Sequence, residues 1–593
     1  MSRDALRIEP LELPFDFAPH LPGSKSCANR ALVLSALANG ATTIARIPDA
    51  DDVRLLLRGL SALGFDVAMP GPTTDGRCVV VQGGLPRQSG AAAIDCGAGG
   101  TTLRFLLPLA ACVRGDWTFD GDARLRERPI AELVTALRAL GAEIDATRDG
   151  LPLRIRGGAM RGGSVRLDAS KSSQFLSGLM LVAPALAGGL DVHIDGRLAS
   201  ASYVELTRAM LGDFGITVAA SAERVTIAET QLASPGRYEI EADWSAAGAW
   251  LVLERLAKGR ARMAELKPDS RQPDRRLTDA LHENVGWNCA EDRRIDVSSL
   301  PDQLMNLAIY AAHCHGTTRF TGVENLRLKE SDRLEVFARG CAAVGIDAVV
   351  ERDALVVTGP AKLRPARIAT ARDHRMAMAF AIVGALSPGI EIEDPDCVAK
   401  SYPGFFADLE RARHSARAIA LIGVRLAGKT TLGAALAARL GLRSVDTDAV
   451  FVERHGAIAA FVERHGWPRF RGLEEAIVAE SLVPQAVVAL GGGAVESAAT
   501  RTRLRSDAIC VWVREDLAIL RARAGQDARP SLTSRGAVDE LEEVLARRAP
   551  YFRELADIEL APSRALAERV DECVGALRAL CSWQQTSARR NGE

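Results

Sequence analysis

The chain has 593 residues, 48% hydrophobic and 25% charged, with a formal net charge of −1, so it reads as globular protein long enough for roughly four domains. A near-zero charge argues against a general polyanion binder, and no nucleic-acid partner is expected. No run approaches the roughly 18 to 20 apolar residues of a membrane span. The opening MSRDALRIEPLELPF carries acids and a proline where a secretory signal needs an apolar core, so a cytoplasmic protein without a membrane partner is the expectation. The 11 cysteines are scattered, with no CxxC pair, and imply reduced, mostly buried thiols rather than a disulfide framework or a zinc site.

The first informative element is LPGSKSCANRALVLSALA. Pro22 and Gly23 turn the chain, and Ser24, Lys25 and Ser26 begin a helix that runs through Leu37. Free N–H groups and the positive dipole end suit an anion there. Arg30, further along the helix, has a guanidinium that can fork onto a phosphate or carboxylate. GAGGTTLRFLLPLA repeats the design, with Gly100 and Thr101 opening a helix and Arg104 in its first turn. A basic residue on one helix is ordinarily solvated surface. Two such helix starts, joined by basic residues in RLRERPIAEL, LKESDRLE, RDHRMAM and DCVAKSYP, imply a ligand with more than one anionic group.

The first 410 residues also carry a weak repeat. An apolar helical run ends in Gly and a strand-like segment at Gly64, Gly141, Gly215, Gly286 and Gly345, where Gly fits the left-handed position that ends a helix. Intervals of roughly 60 to 77 residues are too long for a solenoid and fit a repeated α/β unit. Between about 408 and 418 the texture changes, from the polar RARHSAR to the apolar strand AIALIGV. FVERHG occurs at 451–456 and 461–466, read as a coincidence between one helix end and the next helix start. Residues 418–431 set strand, loop and helix around G-x-x-x-x-G-K-T, the phosphate-binding loop: backbone N–H groups cradle phosphates, Lys429 reaches the outer ones and Thr430 ligates Mg²⁺.

In chain order GSKSCANRAL, GTTLR, ERPI, SSQFLSGLM, KESDRL, DHRMAM and AKSYP resemble the successive signatures of 5-enolpyruvylshikimate-3-phosphate (EPSP) synthase. The resemblance implies an α/β fold of two lobes built from repeated units, about 1–20 plus 241–410 and about 21–240, within a 1–410 domain. It implies transfer of enolpyruvyl from phosphoenolpyruvate to shikimate 3-phosphate without a cofactor. Ser24, Lys25, Arg30, Ser172, Ser173 and Gln174 would hold shikimate 3-phosphate, with Ser200, Tyr203, Asp302, Asn325 and Lys329. Lys25, Gly100, Arg104, Arg128, Arg333, Arg375 and Lys400 would surround phosphoenolpyruvate. Asp302 and Glu330 are the acid/base candidates, with Lys25 assisting; Asp302 in SLPDQLMN fits a helix N-cap equally well. Ala98 stands where many members have Asn, and Ser200-Ala201-Ser202-Tyr203 where some have Ser-Lys-Pro-Tyr. The related transferase acting on a UDP-sugar uses a loop cysteine, which DGDARLRERPI lacks.

After a 411–417 linker, residues 418–582 resemble shikimate kinase, a P-loop fold with a parallel sheet flanked by helices, followed by a polar tail at 583–593. The resemblance places ATP on Gly423, Ala427, Gly428, Lys429, Thr430 and Thr431, with Arg529 on a lid. It places shikimate on Asp448, Arg471, Gly491, Gly492, Gly493 and Arg548, and Mg²⁺ on Thr430 and Asp446. Arg523 and Arg564 are the candidates beside adenine. Where these kinases usually carry Gly the loop has Leu426, whose Cβ either meets the phosphates or is tolerated because the backbone avoids positive φ. Two readings follow: a bifunctional enzyme using shikimate, ATP, shikimate 3-phosphate and phosphoenolpyruvate, or a synthase with a degenerate, nucleotide-binding or structural kinase module.

Overall fold

The helix expected after Pro22 and Gly23 spans Lys25–Leu37 with Ser24 at its N-cap in the computed structural model, which describes residues 4–69, 77–283, 287, 292–524 and 540–583. The chain divides into two units: Met1–Glu9, His20–Val252 and Met263–Asp408 form one, and Pro10–Pro19, Leu253–Arg262 and Leu409–Glu593 the other. Among the described residues no helix is long and apolar enough to cross a membrane.

The first unit repeats one sheet topology four times. In each copy an outer strand pairs in parallel with the second, and two antiparallel pairings follow. The copies run Gly90–Asp95, Gly115–Asp120, Leu153–Gly157, Glu143–Ala146 and Gly163–Asp168, Leu190–Asp195, Arg224–Ile227, Val218–Ala220. Another runs Arg293–Asp296, Gly316–Thr321, Ala354–Gly359, Asp347–Val350. In the copy built on Gly40–Ala45, Cys78–Gly83 and Asp66–Ala68, the parallel outer strand is the distant Arg237–Glu239, so the chain returns to close the 21–240 segment. A three-stranded sheet joins Ala5–Ile8, Ile390–Glu393 and Ala366–Ile368.

The repeat glycines explain the recurrence. Gly64, Gly141, Gly215 and Gly345 have φ of 91°, 88°, 80° and 87°, the left-handed region that a side chain disfavours. Each leads from a helix into the antiparallel edge strand of its sheet; Gly286 lies outside the described residues. Helices Lys25–Leu37, Gly100–Cys112 and Ser173–Val182 are buried along nearly their whole length. Gly178 lets the third approach the backbone carbonyl of Arg104 in the second, where any Cβ would collide.

The second unit holds a five-stranded parallel sheet ordered Arg443–Asp446, Ala486–Ala489, Ala418–Ile422, Ala508–Val513, Ile558–Leu560. Strands buried on both faces read as continuous apolar runs, as AIALI and AICVWV do. Strand order reverses beside Ala418–Ile422, opening a crevice at the carboxyl ends where ligands of such sheets sit. The FVERHG copies end one helix at Gly456 and open the next, and their Phe451 and Phe461 rings pack edge-on at 5.1 Å.

Candidate active sites

In the first unit, seven helices begin at one pocket: the starts of Ala201–Asp213 and Trp244–Leu256, through Tyr203 and Ser245, join five others. Lys25, Thr101, Ser173, Arg333 and Arg375 line it from the first turns of Lys25–Leu37, Gly100–Cys112, Ser173–Val182, Arg333–Val344 and His374–Leu386. Each start adds the positive end of its dipole and N–H groups, of which Ser172, Asp332 and Asp373 each cap one, so the backbone helps to make the pocket attractive to anions.

The side chains sharpen this. Arg333 is held on three sides, by Asp373 at 2.8 Å, Asp302 at 2.9 Å and Glu330 at 2.7 Å. Arg375 donates to Asp302 at 2.7 Å and to Ser245 at 2.9 Å. Lys25 lies 3.0 Å from Asp52, and Arg104 donates to Gln174 and the Pro129 carbonyl, both at 2.7 Å. Tyr203 donates to Asp274 at 3.0 Å and approaches Asp302 at 3.3 Å; Asn325 donates to Ser200 at 2.7 Å. Arg30 places one bond from each guanidinium nitrogen, on Thr207, Ser26 and Tyr203, and keeps further N–H groups toward the pocket it lines.

Arg128, Ser172, Gln174, Ser200, Asn325, Lys329 and Glu330 line the same pocket, so residues far apart in the chain arrive together. Ser24, Gly100 and Lys400 do not line it directly. Ser24 is the buried N-cap, and Gly100 lies so close to the Arg128 guanidinium that a side chain would strike it. Lys400 donates to the Ala98 carbonyl at 2.9 Å and lies 3.6 Å from Glu330. Asp302 is not a helix cap: Gln303 holds that position before Leu304–His313, and the Asp302 carboxylate belongs to Arg333 and Arg375. The sequence reading passed over Asp52, Asp274, Asp373 and His374. The last two stand inside DHRMAM, beside the arginine that was chosen; Asp52 and Asp274 have no local signal.

Burial and charge compete throughout. Burial pushes Asp302 up, but Arg375, Lys329 and Arg333 hold it far below the ordinary carboxylate range; Glu330 is held down likewise by Arg333, Lys400 and Arg128. Burial lowers Lys329. For Lys25 burial is outweighed by Asp52 and Glu330, so its ammonium is strengthened. Asp243, where burial and Asp274 act together, is pushed up to about 6. Burial lowers His374, which stays neutral.

In the second unit, Ala427, Gly428, Lys429, Thr430 and Thr431 line a pocket with Asp446 and Asp448. Lys429 reaches back to the carbonyls of Gly423 and Val424 at 2.9 and 2.8 Å. Thr430 donates to Asp446 at 2.5 Å, and the other Asp446 oxygen caps the next helix through the Asp448 and Ala449 amides. Among the described residues no group of three or more His, Cys, Asp or Glu is placed to hold a metal. The Thr430 hydroxyl and the Asp446 carboxylate are hard oxygen donors of the kind Mg²⁺ takes.

Leu426 corrects one expectation: its backbone does not avoid positive φ but adopts 66°. Its side chain packs against the apolar core of the unit, and its carbonyl accepts from Arg523 at 2.7 Å. The loop keeps the conformation a glycine would take, at a cost of about 1–2 kcal/mol, offset by that packing. Arg523 and Arg564 line the pocket; Arg529 lies outside the described residues. Gly492 lines the pocket, Gly491 lies against Asp448 and Glu474, and Gly493 lies against Arg471, so closely that side chains there would collide. Arg471 and Arg548 do not line the loop pocket; they converge on Glu496, which the sequence reading missed.

The sequence profile described as EPSP synthase (3-phosphoshikimate 1-carboxyvinyltransferase) matches residues 20–409, and that described as shikimate kinase matches 425–578. A 3-phosphoshikimate 1-carboxyvinyltransferase from Citrobacter koseri is 36% identical over 428 residues, 69% of this chain and 99% of that protein. One from Klebsiella pneumoniae is 38% identical over 412 residues, 66% of this chain and 95% of its own. An EPSP synthase structure from Acinetobacter baumannii aligns with a TM-score of 0.56 at 24% identity, covering 68% of this chain and 97% of that one. An enolpyruvyl transferase from Streptomyces tendae aligns at 0.54 and 17%, over 70% and 98%. Both are likenesses of fold.

Proposed function

This chain belongs to the EPSP synthase family and carries a shikimate kinase domain behind it, and we propose that one polypeptide makes shikimate 3-phosphate in its second unit and consumes it in its first. The convergence of seven helix starts and a cluster of cations on one pocket carries the synthase reading. Two polyanions repel, and fixed positive groups are what bring them together without reorganisation during the reaction.

In this reading Ser172, Ser173, Gln174 and Lys329 hold shikimate 3-phosphate, with Tyr203 and Asn325 alongside. Lys25, Arg104, Arg128, Arg333 and Arg375 hold phosphoenolpyruvate, with Lys400 behind them against Glu330 and the Ala98 carbonyl. Asp302, kept ionised by its cationic surroundings, takes the proton of the attacking hydroxyl, and the Lys25 ammonium, which lines the pocket, supplies one to the methylene carbon. The tetrahedral adduct then loses phosphate, which leaves with the proton that Asp302 took and whose charge the same arginines hold, and the methyl group returns its proton to Lys25 to restore the enol ether.

In the second unit Lys429 and the loop amides hold the ATP phosphates. Asp448 orients and deprotonates the acceptor hydroxyl, and Arg471 and Arg548 hold the carboxylate of shikimate. Thr430 and Asp446 would hold Mg²⁺, which would neutralise phosphate charge.

The test uses the full chain. With shikimate, ATP and phosphoenolpyruvate it releases both ADP and phosphate. Lys25→Ala stops phosphate release and leaves ADP formation, and Lys429→Ala does the reverse when shikimate 3-phosphate is supplied. Shikimate-independent ADP formation, or a wild-type chain that turns over only one substrate pair, overturns the bifunctional reading.

A further inference from the structure

Glu496 ends the short turn Ala494–Glu496, directly after the three glycines. Its carboxylate is the meeting point of three arginines. Arg548 forks onto it through Nε at 3.0 Å and Nη2 at 3.3 Å. Arg547 adds Nε at 3.2 Å, and Arg471 Nη2 lies at 3.7 Å. A two-pronged approach of guanidinium to carboxylate is what an arginine offers a carboxylate ligand.

Resting on the reading that Arg471 and Arg548 hold the carboxylate of shikimate, we propose that Glu496 is a built-in competitor for that clamp, and that shikimate binds by displacing it. The neighbouring Glu474 shows why Glu496 is the group that yields. Glu474 also holds Arg471, at 2.5 Å, but its side chain is only 6% exposed and sits within the helix Ile458–Ser481. Glu496 is 30% exposed on a one-turn segment, so water can receive its carboxylate when it swings out. Arg548 is buried, at 2% exposure, and meets one carboxylate or the other throughout, so the exchange leaves no unpaired buried charge.

The consequence is selectivity. With Glu496 in place the arginines carry a neutralising partner, so a simple carboxylate gains little by replacing it. A ligand that also engages Asp448 and the glycine turn draws on contacts Glu496 cannot make. The measured affinity is therefore the affinity of the open clamp reduced by the population in which Glu496 occupies it.

The experiment is Glu496→Gln in the full chain, which keeps shape and removes charge. The Michaelis constant for shikimate is expected to fall by roughly 3- to 30-fold, with kcat and the constant for ATP unchanged within about twofold. Shikimate methyl ester, with no carboxylate, gains nothing. Glu496→Asp, whose shorter arm draws the carboxylate back, lowers the constant less. A rise or no change in the shikimate constant, or equal gains for acid and ester, overturns the proposal. Arg471→Lys tests the underlying reading separately: an unchanged shikimate constant there removes the clamp itself, whatever Glu496→Gln does. The synthase activity of each variant reports folding of the chain.

Discussion

Both units hold their arginines on the protein's own carboxylates, but at different depths. In the synthase pocket Arg333 is 2% exposed and its partners Asp373 and Glu330 are 0% and 14%. In the kinase unit Arg548 is as deep as Arg333, at 2%, but Arg471 is 27% and the carboxylate they share, Glu496, 30% exposed. A deep network lacks water to replace a lost partner, so removing one member leaves an unpaired buried charge and is strongly destabilising. A shallow network can trade an internal carboxylate for an external one. The synthase pocket is thus built to hold fixed positions, and the kinase clamp to exchange.

The largest effect expected from this contrast is at Lys25 and Lys429. Lys25→Ala lowers phosphate release by at least about a thousandfold while ADP formation persists, measured in parallel coupled assays; loss of both would erase the contrast by showing a shared folding defect. Next is Asp302→Asn, expected to lower synthase kcat about 10²- to 10⁴-fold. Truncating Asp302 to Ala also removes the oxygens that Arg333 and Arg375 share, so it should lower the melting temperature more than the Asn variant does.

The kinase unit includes Pro10–Pro19 and Leu253–Arg262. Arg262 forks onto Asp16 at 2.6 Å, the Arg417 amide donates to the Pro14 carbonyl at 2.7 Å, and Phe15 is fully buried. A fragment beginning at 409 forfeits these contacts, and its kinase activity is expected to be lost about 10 °C lower than in the full chain. An unchanged midpoint would show that the two short segments add nothing.

The pH dependence has a definite sign. Asp243 rises from 3.8 to about 6 on folding, so the native state holds its proton more tightly. That contribution is present below the unfolded value and is lost as pH rises through the folded one. Asp243→Asn, which keeps an oxygen for the Ser245 amide, should stabilise the chain at pH 8 by at most about 3 kcal/mol and change nothing below pH 4. Thermal melts across that range check it. The smallest effect is expected at Leu426→Gly: relief at φ 66° is offset by lost packing and a more flexible unfolded chain, so stability shifts by less than about 1 kcal/mol.

Much of this was legible in the residues. GSKSCANRAL, GTTLR and the G-x-x-x-x-G-K-T loop announce helix starts that bind anions, because such a site needs Gly, small hydroxyls and a cation within one turn. The repeat glycines were legible because a left-handed helix end restricts residue type. Asp52, Asp274, Glu474 and Glu496 were not. A lone acid on a helix or turn looks like surface, and only its distance from an arginine far away in sequence gives it a role.

The sequence by itself determined the two enzyme families, their order and the residues whose backbone surroundings are local. The tertiary structure decided which carboxylates neutralise which cations, since Arg548 and Glu496 are joined by folding rather than by spacing. It also decided the fate of Leu426. A residue type restricts φ only statistically, and here packing against the core of the unit held a side chain in the conformation a glycine would take.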